Sequence, residues 1–178
     1  YLRLLFAGAA VLLFLLAFAA PLEGQQRKVI VANMEGIINP PMANYLNRVI
    51  ERANSENAVA VVLLTDTPGG LDTSMREIIK AILNSRVPVI LYILPGSRAS
   101  SAGTFIAMAS HVAAMAPTTS IGAASPVSAQ GDNIGGTLEK KVTNDSAEDI
   151  RSLAKLRDRN DAWAAEKAVR NAESLDAE

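Results

Sequence analysis

Two short segments hold residues of the kind that acyl transfer requires: Thr65-Asp66-Thr67-Pro68-Gly69-Gly70 and Pro95-Gly96-Ser97-Arg98-Ala99-Ser100-Ser101-Ala102-Gly103. Without a Cβ, Gly69 and Gly70 can turn tightly and leave an N–H free to face an oxyanion. If Ser101 opens a helix, the Ala102 amide is among the N–H groups that a helix leaves unpartnered, at the positive end of its dipole. Nucleophile and oxyanion donor are then adjacent residues, and small Ala102 and Gly103 let a substrate carbonyl come close. Pro-Gly-Gly is also a common turn, and serines before a helix often only cap it. The two loops together are therefore more informative than either alone. Ser97 and Ser100 do not directly precede the Ala-Gly pair and read as loop and cap residues.

A serine nucleophile needs a base. The one histidine of the chain, His111, stands ten residues beyond Ser101. Across a helical segment, at ~1.5 Å rise per residue, that is roughly 15 Å, beyond hydrogen-bond reach. His111 reads instead as a satisfied residue at a helix–strand junction. Lysine can serve as base once burial or neighbours bring its pKa toward neutrality. Lys140 and Lys141, just after a long loop, are the candidates, and their composition and spacing do not choose between them.

The elements that must position these loops follow from hydrophobic periodicity. Val29 to Ala32, Ala58 to Leu64 and Val87 to Leu94 are continuous apolar runs and read as buried strands. Between them, Met42, Tyr45, Leu46, Val49, Ile50 and Ala53 form one helical stripe, and Met75, Ile78, Ile79, Ile82 and Leu83 another. This β-α-β-α-β order predicts a parallel sheet covered on both faces, with ligands beyond the carboxyl ends of the strands, where both loops lie. Ser101 to Ser110 is a short helix of small residues, and Val112 to Ala116 a further strand. Thr118 to Gly136 is loop-like, and Asn144 to about Ala172 supplies one or two closing helices.

The chain has 178 residues, 49% of them hydrophobic, enough for one globular domain with a core. With 17 basic and 18 acidic residues, no charge excess favours nucleic acid or an anionic membrane surface. The absence of cysteine excludes disulfides and thiol catalysis, and a single histidine excludes sites needing two imidazoles. No cofactor or metal is expected. Leu4 to Ala20 is a nearly unbroken apolar run behind Arg3, an export segment with Ala17-Phe18-Ala19 as a small-x-small cleavage pattern. Its 17 residues also leave an uncleaved anchor open. The resulting parse is a signal peptide or anchor over residues 1–20, a linker over 21–28 and a domain over 29–178. Since the sequence opens on Tyr1 and stops at Glu178 within a helical pattern, it reads as a fragment.

Four stretches resemble one family in order: Asp66 to Gly70, Ala99 to Ala107, Ala116 to Ala123 and Lys141-Val142-Thr143-Asn144-Asp145, with Arg151 to Ala154 and Arg159-Asn160 beyond them. The chain resembles the NfeD-type membrane-bound serine proteases from about Val29 onward. The resemblance implies an α/β Clp-protease/crotonase-like fold, a spiral of ββα units with a mostly parallel sheet. It implies Ser101 as nucleophile, Lys141 as general base, and Gly70 and Ala102 as oxyanion-hole amides, with Gly69 able to share that role. Related soluble peptidases carry a downstream histidine, where this chain has Gly122 to Val127. The implied activity is that of an endopeptidase cutting apolar segments of membrane proteins, with a stomatin-like partner class. The active domain is expected on the extracytoplasmic side, membrane association is expected, and homo-oligomers follow from the fold family. The competing readings are a signal-peptide-peptidase-like protease, a crotonase-like coenzyme A enzyme, against which the export signal argues, and a catalytically silent membrane scaffold.

Overall fold

The computed structural model describes residues 28–127 and 135–177. The apolar segment over residues 1–20 and most of the linker over 21–28 lie outside this range. Among the described residues no helix is long and apolar enough to cross a membrane.

Four parallel strands form the main sheet: β1 (Val29–Glu35), β2 (Ala60–Asp66), β3 (Val89–Ile93) and, after one short intervening strand, β5 (Val112–Met115), in the spatial order β1-β2-β3-β5. The register aligns Ala32 with Leu63, and Leu63 with Leu91, which is in turn opposite Ala113. The connecting helices are α1 (Pro40–Ser55), α2 (Asp72–Leu83) and α3 (Ala102–Ala109). Helix α1 begins where Asn39 Oδ1 accepts the Met42 N–H at 3.0 Å, with Pro40 and Pro41 in the first turn. Proline suits that position because its missing N–H would have had no partner there. Ala43, Leu46, Ile50 and Ala53 form the buried stripe of α1, and Met75, Ile78, Ile79 and Ile82 that of α2.

The α/β class and the mostly parallel sheet agree with the sequence reading; coverage of the sheet on both faces does not. Ala32, Met34, Val61, Leu63, Val89, Leu91 and Ile93 point into the core, but the opposite face is only partly covered. On that face Val31 is 58% and Val112 48% exposed, flanking half-buried Val62 and Ile90. Apolar residues occupy both faces of β2 and β3, so alternation was hidden and the strands read as fully buried.

A second, smaller sheet was not anticipated. It comprises β4 (Arg98–Ser100), β6 (Ser120–Gly122) and β7 (Ser174–Asp176), the last antiparallel to β6. Two parallel bridges, Ile38 with Gly70 and Thr67 with Ala99, extend the same pattern toward the amino terminus. Each long strand thus hands over to a short second segment before its helix. Three residues are too few for periodicity to register, so in sequence β4 and β6 are indistinguishable from loop.

The chain closes with α4 (Gly136–Leu156) and a π-helical segment, α5 (Trp163–Arg170). Helix α4 begins eight residues before Asn144, so Lys140 and Lys141 sit inside its first two turns rather than after a loop. Ala147, Ile150 and Ala154 of α4 and Ala164, Ala165, Ala168 and Val169 of α5 join the common core.

Candidate active site

Ser101 occupies the corner between β4 and α3, with φ 51° and ψ −117°. These angles match the first central position of a type II′ turn, which glycine dominates. A serine there is strained, and such strain persists only where the surroundings over-determine it. The surroundings do so here. The Ser101 N–H donates to Gly122 O at 3.1 Å, and Ser101 O accepts the Thr104 N–H at 2.9 Å. Buried Thr104 ties the corner to β6: its hydroxyl lies 2.9 Å from Ala99 O and 3.2 Å from Gly122 O, and accepts the Gly122 N–H at 3.1 Å. A strand-to-helix corner of this kind lifts a nucleophile side chain out of the backbone path.

The glycine loop packs directly against this corner. A Cβ at Gly69 would stand 2.6 Å from Ser101 Cβ and 3.1 Å from Ser101 Oγ, and φ there is +107°. At Gly70 a Cβ would fall 2.1 Å from Ile38 O. The two glycines differ in their amides. Gly69 N–H donates to Thr67 Oγ1 at 3.1 Å. In the parallel bridge between Ile38 and Gly70, the bonds run from Ile38 N–H to Gly69 O and from Leu71 N–H to Ile38 O, each 2.8 Å. A parallel bridge engages the groups flanking the bridged residue, so the N–H of Gly70 itself is turned away from Ile38. Ala102 is the first residue of α3, where an N–H has no intrahelical acceptor.

Ser101, Gly70 and Ala102 open on a common cleft of about 560 Å³. Its apolar lining includes Ile37, Leu71, Met75, Phe105, Val127 and Val142. Among the described residues the one charged residue on the wall is Asp72, whose carboxylate is held 2.8 Å from Arg76 Nε, while Arg76 also reaches Asp149 at 2.8 Å. The hydrogen bond to Asp72, and then that to Asp149, holds the Arg76 pKa above its ordinary value. Among the described residues the lining is therefore mostly apolar, with the Asp72 carboxylate paired.

Lys141 is exposed and does not line the cleft, although its neighbour Val142 and, one turn on, Ser146 do. Lys140 is likewise exposed and off the cleft wall. His111 lies at the helix–strand junction beyond the far end of α3. Its Nδ1 accepts the Val89 N–H at 3.1 Å, and its own N–H donates to Val89 O at 2.9 Å. Burial, and then the charges of Arg157 and Arg159, push the His111 pKa down, which suits a neutral ring acting as acceptor. Among the described residues no group of three His, Asp or Glu side chains is arranged to hold a metal ion. Sequence reasoning missed Thr67, Thr104 and Gly122, whose bonds hold the corner and the glycine loop. Nothing in their spacing marks them, because they act through backbone groups, and the bonds from Thr67 to Gly36 and between Thr104 and Gly122 join segments remote in sequence.

The model of the NfeD1b N-terminal domain family matches residues 28–177. The chain belongs to this NfeD family. Among curated relatives, it is 42% identical over 141 residues to a membrane-bound protease of Pyrococcus horikoshii, covering 78% of this chain and 32% of that protein. It is 33% identical over 121 residues to the membrane protein NfeD1b of Bacillus subtilis, covering 68% and 27%. This NfeD domain therefore spans about a third of the length of the curated relatives it matches. Solved structures of the 1510-N membrane-bound stomatin-specific protease share its fold at 39% identity and a TM-score of 0.76. One is a lysine-to-alanine mutant with a substrate peptide, covering 83% of this chain and 68% of that one. Another is a serine-to-alanine mutant, with 83% and 72% covered.

Proposed function

We propose that this NfeD domain is a serine endopeptidase in which Ser101 is the nucleophile and Lys141 the general base. The observation that carries the reading is the strained Ser101 corner, set against Gly69 and opening with the Gly70 and Ala102 amides on one apolar cleft. In the reaction, Lys141 Nζ takes the Ser101 Oγ proton as the oxygen attacks a peptide carbonyl. The carbonyl oxygen becomes an oxyanion and receives the Gly70 and Ala102 N–H groups. Lys141 returns the proton to the leaving amine, and water then hydrolyses the acyl-enzyme. Gly69, whose N–H is engaged by Thr67, shapes the loop rather than donating to the oxyanion.

The apolar walls favour apolar substrate segments, and the relatives' description as membrane-bound and stomatin-specific supports membrane association and a stomatin-like substrate. An extracytoplasmic active domain and a homo-oligomeric assembly belong to the same reading. A non-catalytic scaffold has one observation in its favour, the exposure of Lys141 away from the cleft.

Cleavage of a fluorogenic apolar peptide by the wild type, Ser101→Ala, Lys140→Ala and Lys141→Ala separates the two. The proposed dyad requires loss of at least roughly 10²-fold in kcat for Ser101→Ala and Lys141→Ala, with Lys140→Ala near wild type. Undiminished turnover in the Ser101 or Lys141 variant rejects the dyad; a wild type that binds the peptide without cutting it is a scaffold.

A further inference from the structure

We propose that Thr67 is a positioning residue that selects which glycine amide faces the oxyanion; the inference rests on the serine-protease reading above. Thr67 is fully buried and follows β2 directly. Its hydroxyl donates to Gly36 O at 2.6 Å and accepts the Gly69 N–H at 3.1 Å. One oxygen thereby joins the turn after β1 to the turn after β2. Its backbone is held on the other side: Thr67 N–H donates to Arg98 O at 2.8 Å, and Thr67 O accepts the Ser100 N–H at 3.0 Å. Its methyl group lies 2.6 Å from where a Cβ on Gly103 would stand, so it packs against that glycine.

The consequence is chemical. Two consecutive glycines supply two amides in the loop that packs against the Ser101 corner, and a loop free to rock between them would present neither at fixed distance. With the Gly69 N–H consumed by the Thr67 hydroxyl, the peptide plane before Gly69 is fixed, and the loop presents the Gly70 N–H. The same side chain supports Gly103, directly behind Ala102. Thr67 thus sets the spacing between the two proposed donors while touching no substrate atom. A valine has the same shape and lacks the hydroxyl; a serine keeps the hydroxyl and lacks the methyl.

The test compares Thr67→Val and Thr67→Ser in peptide cleavage, with Ser101→Ala as reference. Thr67→Val should lose roughly 10- to 100-fold in kcat, the scale of a misplaced oxyanion donor, with KM within about 2-fold of wild type. Its affinity for a peptide boronate that forms a tetrahedral adduct should fall in parallel. In a Ser101→Ala background, Thr67→Val should leave apolar-peptide binding unchanged. Thr67→Ser should stay within about 5-fold of wild-type kcat. Wild-type kcat in Thr67→Val, or a change in KM alone, overturns the assignment. Cleavage persisting in Ser101→Ala would instead overturn the protease reading itself. If Thr67→Val does not fold, amide NMR of the wild type decides. The Gly69 N–H should be protected from exchange, and boronate binding should shift the Gly70 amide and leave Gly69 in place. A Gly69 amide that exchanges freely or moves with the boronate overturns the proposal.

Discussion

Substituting alanine for Gly70 should be among the most damaging single-methyl additions in the domain. The added Cβ would stand 2.1 Å from Ile38 O, 2.6 Å from Ile38 N and 2.7 Å from Ile38 C, all backbone atoms that no side-chain rotation can move. Restoring even a tight 3.0 Å contact to the oxygen requires the two segments to part by about 0.9 Å. Applied to the two 2.8 Å hydrogen bonds that join them, from Ile38 N–H to Gly69 O and from Leu71 N–H to Ile38 O, this separation takes both beyond hydrogen-bonding range. Each such bond contributes about 1 kcal/mol net, and residual overpacking adds about 1 kcal/mol or more. We expect Gly70→Ala to lower the unfolding free energy by about 2–4 kcal/mol, read from urea denaturation followed by circular dichroism. The internal control is Gly96→Ala, where φ is +73° but no atom lies within 4 Å of the new Cβ. That substitution carries only the left-handed backbone cost of about 1–2 kcal/mol. Gly70→Ala costing no more than Gly96→Ala would refute the close-approach argument. The proposed oxyanion role adds that any folded Gly70→Ala protein should lose kcat.

Two further outcomes follow from strain and from charge. Ser101→Gly should be more stable than Ser101→Ala by about 1 kcal/mol, because only glycine relieves φ 51° with ψ −117°; equal melting temperatures for the two variants would argue against stored strain. The His111 pKa lies below the ordinary histidine value of about 6.5, chiefly through burial. Above that value His111 is neutral in both folded and unfolded chains. As pH falls from about 6.5 through the lower folded pKa, the unfolded chain takes up the proton first, so folded stability is lost. His111→Asn should flatten this acid slope in denaturant titrations between pH 7 and 5, and a slope unchanged by the substitution would contradict it.

The main sheet was legible because β2 and β3 are long enough for composition to speak, and the helices because Leu46, Ile50 and Ala53, or Met75, Ile78 and Ile82, recur at helical spacing. Ser101, Gly69 and Gly70 were legible for a different reason: positions that admit no side chain, or need a small one, leave a mark in composition. The Gly69 Cβ position touches Ser101 and that of Gly70 touches Ile38. What stayed hidden is long-range backbone pairing. No local pattern says that Thr67 will pair with Ala99, or Ser100 with Gly122. The half-open sheet face was hidden too, since Val31 and Val112 are as apolar as buried strand residues.

The partners of the proposed dyad are held by different means. Ser101 and the glycine loop are fixed by backbone bonds between short strands together with the buried hydroxyls of Thr67 and Thr104. Lys141 depends on α4, whose first buried residues are Ser146 and Ala147; from Gly136 to Lys141 no side chain is buried, and Leu138 is 60% exposed. Anchorage of α4 begins at Ala147 and strengthens at Ile150, with Asp149 paired to Arg76 beside the cleft. Arg76 in turn holds Asp72 on the cleft wall. The helix end that carries Lys141 therefore precedes this anchorage, while the Asp149–Arg76–Asp72 pairs belong to the anchored part beside the cleft. The proposed nucleophile and oxyanion donors are built into the sheet framework, while the proposed base sits on a helix end ahead of the first buried residues of α4. That division explains why the serine is recognisable from local sequence and the lysine is not.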